Sequence, residues 1–376
     1  MTSAAAEWAD ARDVLCVRLD TIGDVLMTTP AIRALRDARP GRRITLLTSR
    51  AGAAAGALVP EVDSVIVYDA PWLKATPSRT DSRHEYAMAE LLRERGFHGV
   101  VIFTTFSQSA LPSALLCHLA DIPLRLAHAR ENPYQLLTTR VAESEPEHGI
   151  RHEVERQLDL VAAVGCPATD RRLSLRVPPD DRARVHALLA SLGVGDDRPW
   201  LVVHPGASAP SRRYPAEMFA EAVACVVART GATVVVTGDA SEEELATRVC
   251  AGIADESHVL AGVLTLGELS ALIADAPLLL TNNTGPAHIA AAVGTPVVDM
   301  YALTNPQHTP WMVRSRVLSH DVPCRNCFRS VCPELHHQCL RGVRPERVAD
   351  AVCELLAGAR SPRPPVTPAL LPSLRL

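Results

Sequence analysis

Short apolar runs alternate with amphipathic stretches along most of this chain. Val14-Leu-Cys-Val-Arg-Leu19 is a run of strand length, followed by the loop Asp20-Thr-Ile-Gly23. From residue 24 to 38, Val25, Ile32 and Leu35 fall at helical spacing. Residues 44–48, 65–68 and 100–103 read as further strands, with a helix at 85–95. This alternation predicts a parallel sheet covered on both faces. The pattern resets after a linker and one helix that begin at Val177. Strands at 200–204, 233–237 and 278–280 then alternate with helices at 216–229 and 242–252. The expected architecture is two open α/β domains, at 1–178 and 179–358, facing one another across a cleft. A ligand would lie at the carboxyl ends of the strands. Residues 359–376, with five prolines after Arg360, read as an extended or disordered tail.

Composition narrows the function classes. At 376 residues the chain exceeds what one core usually holds. A net charge of −4 argues against a nucleic-acid binder, and Lys74 is the sole lysine. The first residues lack a basic start followed by an apolar run, and no apolar stretch is long enough to span a membrane. A cytoplasmic protein is expected. Cys16, Cys117, Cys166, Cys225, Cys250 and Cys353 sit in apolar surroundings as core candidates. Neither half carries a three-glycine dinucleotide fingerprint or a Walker A loop, which argues against redox chemistry and ATP hydrolysis.

Four strand-end turns can carry chemistry. Asp24, after Gly23, is either a first-turn acid of its helix or a carboxylate able to take a proton from a substrate hydroxyl. His204-Pro-Gly-Ala-Ser208 admits close backbone approach, and Arg212 and Arg213 follow as phosphate-binding guanidinium groups or a solvated basic loop. Gly238 opens a third turn, where Asp239, Glu242 and Glu243 offer acceptors for ribose hydroxyls or a base amino group. The fourth, Asn283-Thr-Gly-Pro-Ala-His288, reads as a helix start at Pro286 that aims free N–H groups above the sheet, with Asn283 or Thr284 as cap. His288 either donates to a phosphate or is simply buried.

These motifs resemble glycosyltransferase family 9, the ADP-heptose heptosyltransferases, from about Val14 to Leu356. The likeness rests on Arg18-Leu-Asp-Thr-Ile-Gly-Asp-Val25 with Thr29-Pro-Ala-Ile-Arg-Ala-Leu35, and on His204-Pro-Gly-Ala-Ser208 with Arg213-Tyr-Pro215. It also rests on Asn283-Thr-Gly-Pro-Ala-His288, continued to Pro296, and on Thr304-Asn-Pro306. The resemblance implies a GT-B fold of two Rossmann-like domains, the first for the acceptor and the second for the nucleotide-sugar. It implies inverting transfer with no required cofactor, Asp24 as general base, and Arg212 at the donor phosphates. Arg213 takes that place if the loop is offset by one. Ser208, Thr284, Gly285 and His288 match the phosphate turn. Asn283 departs from the family's usual Asp against the sugar hydroxyls, which leaves the donor sugar open. ADP-heptose is the implied donor. The acceptor is a glycan, glycolipid, protein or small molecule, and arginines at 33, 36, 39, 42 and 43 could meet an anionic acceptor or a membrane face. A nucleotide-sugar 2-epimerase and a non-catalytic nucleotide-sugar-binding protein remain as alternatives.

Cys324-x2-Cys327-x4-Cys332-x6-Cys339 stands apart, with His336 and His337 inside it. Four thiols so close in sequence can form a tetrahedral zinc or iron site. The expected role is structural; neighbouring reduced thiols or oxidised disulfides are the alternatives.

Overall fold

The computed structural model describes residues 3–359 apart from 75, 196 and 197. The proline-rich tail from residue 360 on lies outside the described residues. Residues up to Arg176 form one compact unit and those from Val177 a second.

The first unit holds six parallel strands: β1 (Asp13–Arg18), β2 (Arg43–Thr48), β3 (Ser64–Val67), β4 (Gly99–Ile102), β5 (Leu124–Ala129) and β6 (Thr139–Ala142). Their order is β3-β2-β1-β4-β5-β6. β1 and β4 lie at the centre, and Leu15, Val17, Val100 and Ile102 are buried in the core. Apolar runs without alternation are what a strand covered on both faces requires. At the edge, β6 keeps Arg140 and Ala142 exposed. β5 is hard to see in the sequence because Arg125 and His128 interrupt it. Arg125 is nonetheless buried, donating to the carbonyls of Leu136, Gln135 and Ile122.

The helix after β1, Ile22–Asp37, begins two residues before the sequence pattern suggested. Thr21 is its N-cap, and the Thr21 N–H donates to the Asp24 carboxylate at 3.1 Å. Pro30 inside it removes one donor, which would leave the Leu26 carbonyl without its helical partner. The Thr29 hydroxyl donates to that carbonyl at 2.7 Å.

The second unit repeats the plan with β7 (Trp200–His204), β8 (Thr233–Val236), β9 (Ser257–Val259), β10 (Leu279–Asn282), β11 (Val297–Met300) and β12 (Ser315–Leu318). All are parallel, in the order β12-β11-β10-β7-β8-β9. Leu201, Val203, Val234 and Val236 form its core with Phe219, Val223 and Val226 of helix Ala216–Thr230 and with Val352 and Leu355 of helix Pro345–Ala359. The architecture is therefore the expected pair of Rossmann-like α/β domains of the GT-B class. Among the described residues no helix is long and apolar enough to cross a membrane.

In each sheet the chain starts at a central strand and builds outward in both directions. The reversal falls between β1 and β4 in the first unit and between β7 and β10 in the second. Turns at such a point splay apart and leave room for a ligand.

Candidate active site

In the first unit the switch point is organised by a buried arginine. Arg18, the last residue of β1, is fully buried and meets three carboxylates. Its Nε lies 3.0 Å from Asp20, Nη2 3.1 Å from Asp24 and Nη1 2.8 Å from Glu153. Burial alone would lower the arginine's pKa, but Asp20, Glu153 and Asp24 outweigh it and raise it. Glu153 opens helix Glu153–Ala162 and also accepts from Gln157 at 2.6 Å. Asp24 is thereby fixed from two sides: Oδ1 by Arg18, and Oδ2 by the Thr21 N–H and hydroxyl at 3.1 and 2.9 Å. Its side chain keeps 16% exposure, so its helix-capping role leaves an edge open to a ligand.

Asp20 lines a pocket of about 340 Å³ with Trp72, Phe103, Gln108, Ser109 and Ser113. Gln108 donates to Asp20 at 2.7 Å. Burial pushes the Asp20 carboxyl up against the pull of Arg18, and Asp24 adds to the rise. Charge and hydroxyl groups over an apolar wall suit a polyhydroxylated ligand. Neither Arg18 nor Glu153 was singled out from the sequence. A charged residue closing an apolar strand run was the available signal for Arg18.

In the second unit the turns after β7, β8 and β10 hold the other candidates. Asn282 ties two of them together: its Nδ2 donates to the Pro205 carbonyl at 2.6 Å, and its Oδ1 accepts from the Tyr214 N–H at 3.0 Å. Between those anchors Ser208 and Arg213 are exposed and Arg212 half-buried. Arg213 Nε donates to the Ala207 carbonyl at 2.6 Å. No hydrogen bond or ion pair of the Arg212 guanidinium occurs among the described residues, and its charge pulls down the buried Asp299.

Helix Gly285–Val293 starts one residue before Pro286 and ends at Gly294, whose φ is +82°. Thr284 occupies the N-cap without a side-chain capping bond. Pro286 has no N–H and the Ala287 N–H donates to the Thr284 carbonyl at 3.0 Å, so the Gly285 N–H is the first-turn donor left open among the described residues. His288 is buried in that helix. Asn283, also buried, turns its Nδ2 inward to the His308 carbonyl at 2.8 Å and to Asp299 at 3.4 Å. Its Oδ1 is then the atom left to meet a ligand. Asp299 interrupts β11 much as Arg18 closes β1, and burial pushes its carboxyl up to about 7.

In the turn after β8, Asp239 is exposed and accepts from the Ser241 N–H at 2.7 Å. Glu242 faces the protein instead. Its carboxylate accepts from the Asp239 N–H at 3.1 Å and lies 4.0 Å from His204 Nε2. Burial pushes His204 down to about 4, which keeps the imidazole neutral. A Cβ at Gly206 would stand 2.1 Å from the Glu242 carboxylate, and one at Gly238 would stand 3.0 Å from Glu242 Cβ. Both glycines make room for this bracing side chain.

A family model described as glycosyltransferase family 9 (heptosyltransferase) matches residues 87–338. The chain belongs to this family. Lipopolysaccharide heptosyltransferase 2 of Escherichia coli K12 is 25% identical over 357 residues, covering 91% of this chain and 98% of its own. The crystal structure of a family 9 glycosyl transferase from Veillonella parvula DSM 2008 aligns at TM-score 0.76 and 22% identity, over 94% of this chain and 99% of that one. The E. coli heptosyltransferase WaaC, solved with ADP-2-deoxy-2-fluoro heptose, aligns at TM-score 0.63 and 22% identity, over 91% and 99%.

Two expectations for this family 9 glycosyltransferase find no support in the structure. The metal expected at the cysteines is without support. Cys324 Sγ lies 3.9 Å from His336 Nε2, and Cys332, Cys324 and Cys327 stand near enough to act on the Cys339 thiol, which burial pushes up. Yet among the described residues no group of three or more His, Cys, Asp or Glu could hold a metal ion. The arginines expected to meet an anionic acceptor or membrane are also engaged. Arg33 pairs with Glu61 and Asp170, Arg36 with Asp63, Arg39 with Asp10 and Arg43 with Asp13. Arg42 is buried on the carbonyls of Ala11, Leu35 and Trp8.

Proposed function

We propose that the enzyme transfers a heptose or related sugar from an ADP-sugar to an acceptor hydroxyl, with inversion at the anomeric carbon. One observation carries this reading: Arg212, without an ion pair among the described residues, and the uncapped helix start at Gly285 share the switch point of the second unit. A guanidinium without an ion pair and the open Gly285 N–H at a helix start suit a diphosphate. The Asn283 carbonyl suits a sugar hydroxyl, and exposed Asp239 a ribose hydroxyl. Ser208 and Arg213 flank the entry. The neighbour solved with an ADP-fluoro-heptose supports ADP as the nucleotide. The second domain thus holds the donor and the first the acceptor.

In the proposed step the acceptor oxygen bonds the anomeric carbon and gives its proton to Asp24. The bond to the diphosphate breaks, and its electron pair leaves with ADP. Arg212 and the Gly285 N–H at the helix start carry the developing charge, with no metal required. Arg18 and Thr21 fix the Asp24 carboxylate. The pocket at Asp20 and Gln108 receives the acceptor. The name of the E. coli relative points to a lipopolysaccharide acceptor, with other glycolipids, proteins and small molecules to be screened.

The test is incubation with ADP-heptose and heptose-free lipopolysaccharide, followed by separation of products. Expected are heptosylated acceptor of inverted configuration and free ADP, with slow donor hydrolysis when acceptor is omitted. An isomerised donor would instead identify an epimerase, and donor binding without any turnover a binding protein. Either sinks the proposal.

A further inference from the structure

The four-cysteine segment has no part in the step above, yet it is bonded to both arms of the donor turn. Ser211 is 3% exposed and precedes Arg212. Its N–H donates to the Ser330 carbonyl at 3.1 Å, and its hydroxyl to the Arg329 carbonyl at 2.7 Å. On the other arm the Asn326 N–H donates to Leu303 at 2.7 Å and the Phe328 N–H to Thr304 at 2.8 Å. Leu303 and Thr304 lead to His308, whose carbonyl holds the Asn283 amide. The segment is also tied back to the end of β12 by the His320 N–H, which donates to Cys339 at 2.8 Å.

The local turn needs such support. Pro210–Arg212 is a single 3-10 turn closed by Arg212 N–H to Ala209 at 2.9 Å and Arg213 N–H to Pro210 at 3.2 Å. Pieces this short have weak bonds of their own. The guanidinium of Arg212 makes no ion pair among the described residues, so its place must be set through its backbone. Inside the segment, Asn326, Phe328, Leu335 and His337 hold φ of +58°, +52°, +56° and +50°. Left-handed backbone in non-glycine residues persists where surrounding contacts over-determine it. The segment therefore has a fixed course and can act as an anchor.

We propose that residues 324–339 form a clasp that holds the Arg212 turn and the 303–308 loop in place for a nucleoside diphosphate, with Ser211 as the positioning residue that connects them. This rests on the donor reading of the same turn. The clasp improves binding of the phosphates by pre-organising their cation, without touching them. It also accounts for the position of a cysteine-rich segment at this site.

The experiment compares ADP with adenosine, by calorimetry, on the full chain carrying Ser211, Ser211→Ala or Ser211→Thr. The wild type should prefer ADP. Ser211→Ala should weaken ADP by roughly 3- to 10-fold, the worth of one hydrogen bond, and leave adenosine unchanged. Ser211→Thr, which keeps the hydroxyl, should restore ADP affinity. Hydrogen exchange supplies a second readout: ADP should slow amides of 324–339 in the wild type and lose that reach in Ser211→Ala. Unchanged ADP affinity in Ser211→Ala overturns the clasp, and so does an equal loss for ADP and adenosine, which marks general loosening. If Ser211→Ala does not fold, wild-type exchange decides, and no slowing within 324–339 overturns the proposal. A wild type that binds adenosine as well as ADP removes the donor reading itself, and the clasp with it.

Discussion

The two units share one sheet topology and gather opposite charge at its switch point. Between β1 and β4 a single buried guanidinium is surrounded by Asp20, Asp24 and Glu153, so carboxylate outnumbers cation by three to one. Between β7 and β10 Arg212 stands without a carboxylate partner among the described residues, beside an uncapped helix start. Asp299, whose carboxyl Arg212 pulls down, is held toward its neutral form by burial. The first arrangement suits hydroxyls and a leaving proton, the second a diphosphate. One topology supplies the turns in both cases, and the residues set on those turns decide what each can bind.

The comparison can be broken at three points. Arg18→Leu has the largest expected effect, because it leaves buried Glu153 and half-buried Asp20 and Asp24 without their cation. Urea unfolding should show a loss of about 3–5 kcal/mol. Wild-type stability would mean that the guanidinium does not organise the first unit. Next comes Arg212→Ala, which should weaken ADP roughly 10- to 100-fold, as expected for lost charge-assisted bonds. Arg213→Ala should change it far less, since Arg213 already donates to Ala207. Equal effects, measured by calorimetry, would move the phosphate contact or spread it over both.

A separate effect concerns Asp299 and pH. Its carboxyl lies near 7 in the folded chain against an ordinary 3.8. Between those values the folded state binds more protons than the unfolded one, so wild-type stability falls as pH rises from about 4 to 7. Asp299→Asn lacks this term. The melting temperature of the wild type, relative to that variant, should drop steadily over the same window. A constant difference would show that Asp299 is ionised throughout.

Legibility in the sequence followed burial. β1, β4, β7 and β8 are unbroken apolar runs because both faces are covered, and they were readable. β5 and β11 were not, since Arg125, His128 and Asp299 interrupt them and find their partners only in three dimensions. Asp24 was visible through its motif. Arg18, which orients it, lay inside a strand and passed as part of the run. Asn283 was visible as a departure, but which way its amide turns depends on His308, 25 residues on. The cysteines were visible as a cluster, but what their segment bonds to was not. The thiols come near one another, and the segment takes its course from Ser211, Leu303, Thr304 and His320.

The division of labour between the units is tested most directly by Asp24→Asn, with transfer from ADP-heptose and ADP affinity measured on the same preparation. The variant removes the proton acceptor and leaves the second unit untouched. Turnover should fall by about 10²- to 10⁴-fold, the usual contribution of a positioned base, with ADP affinity unchanged. Turnover at the wild-type rate would contradict the account.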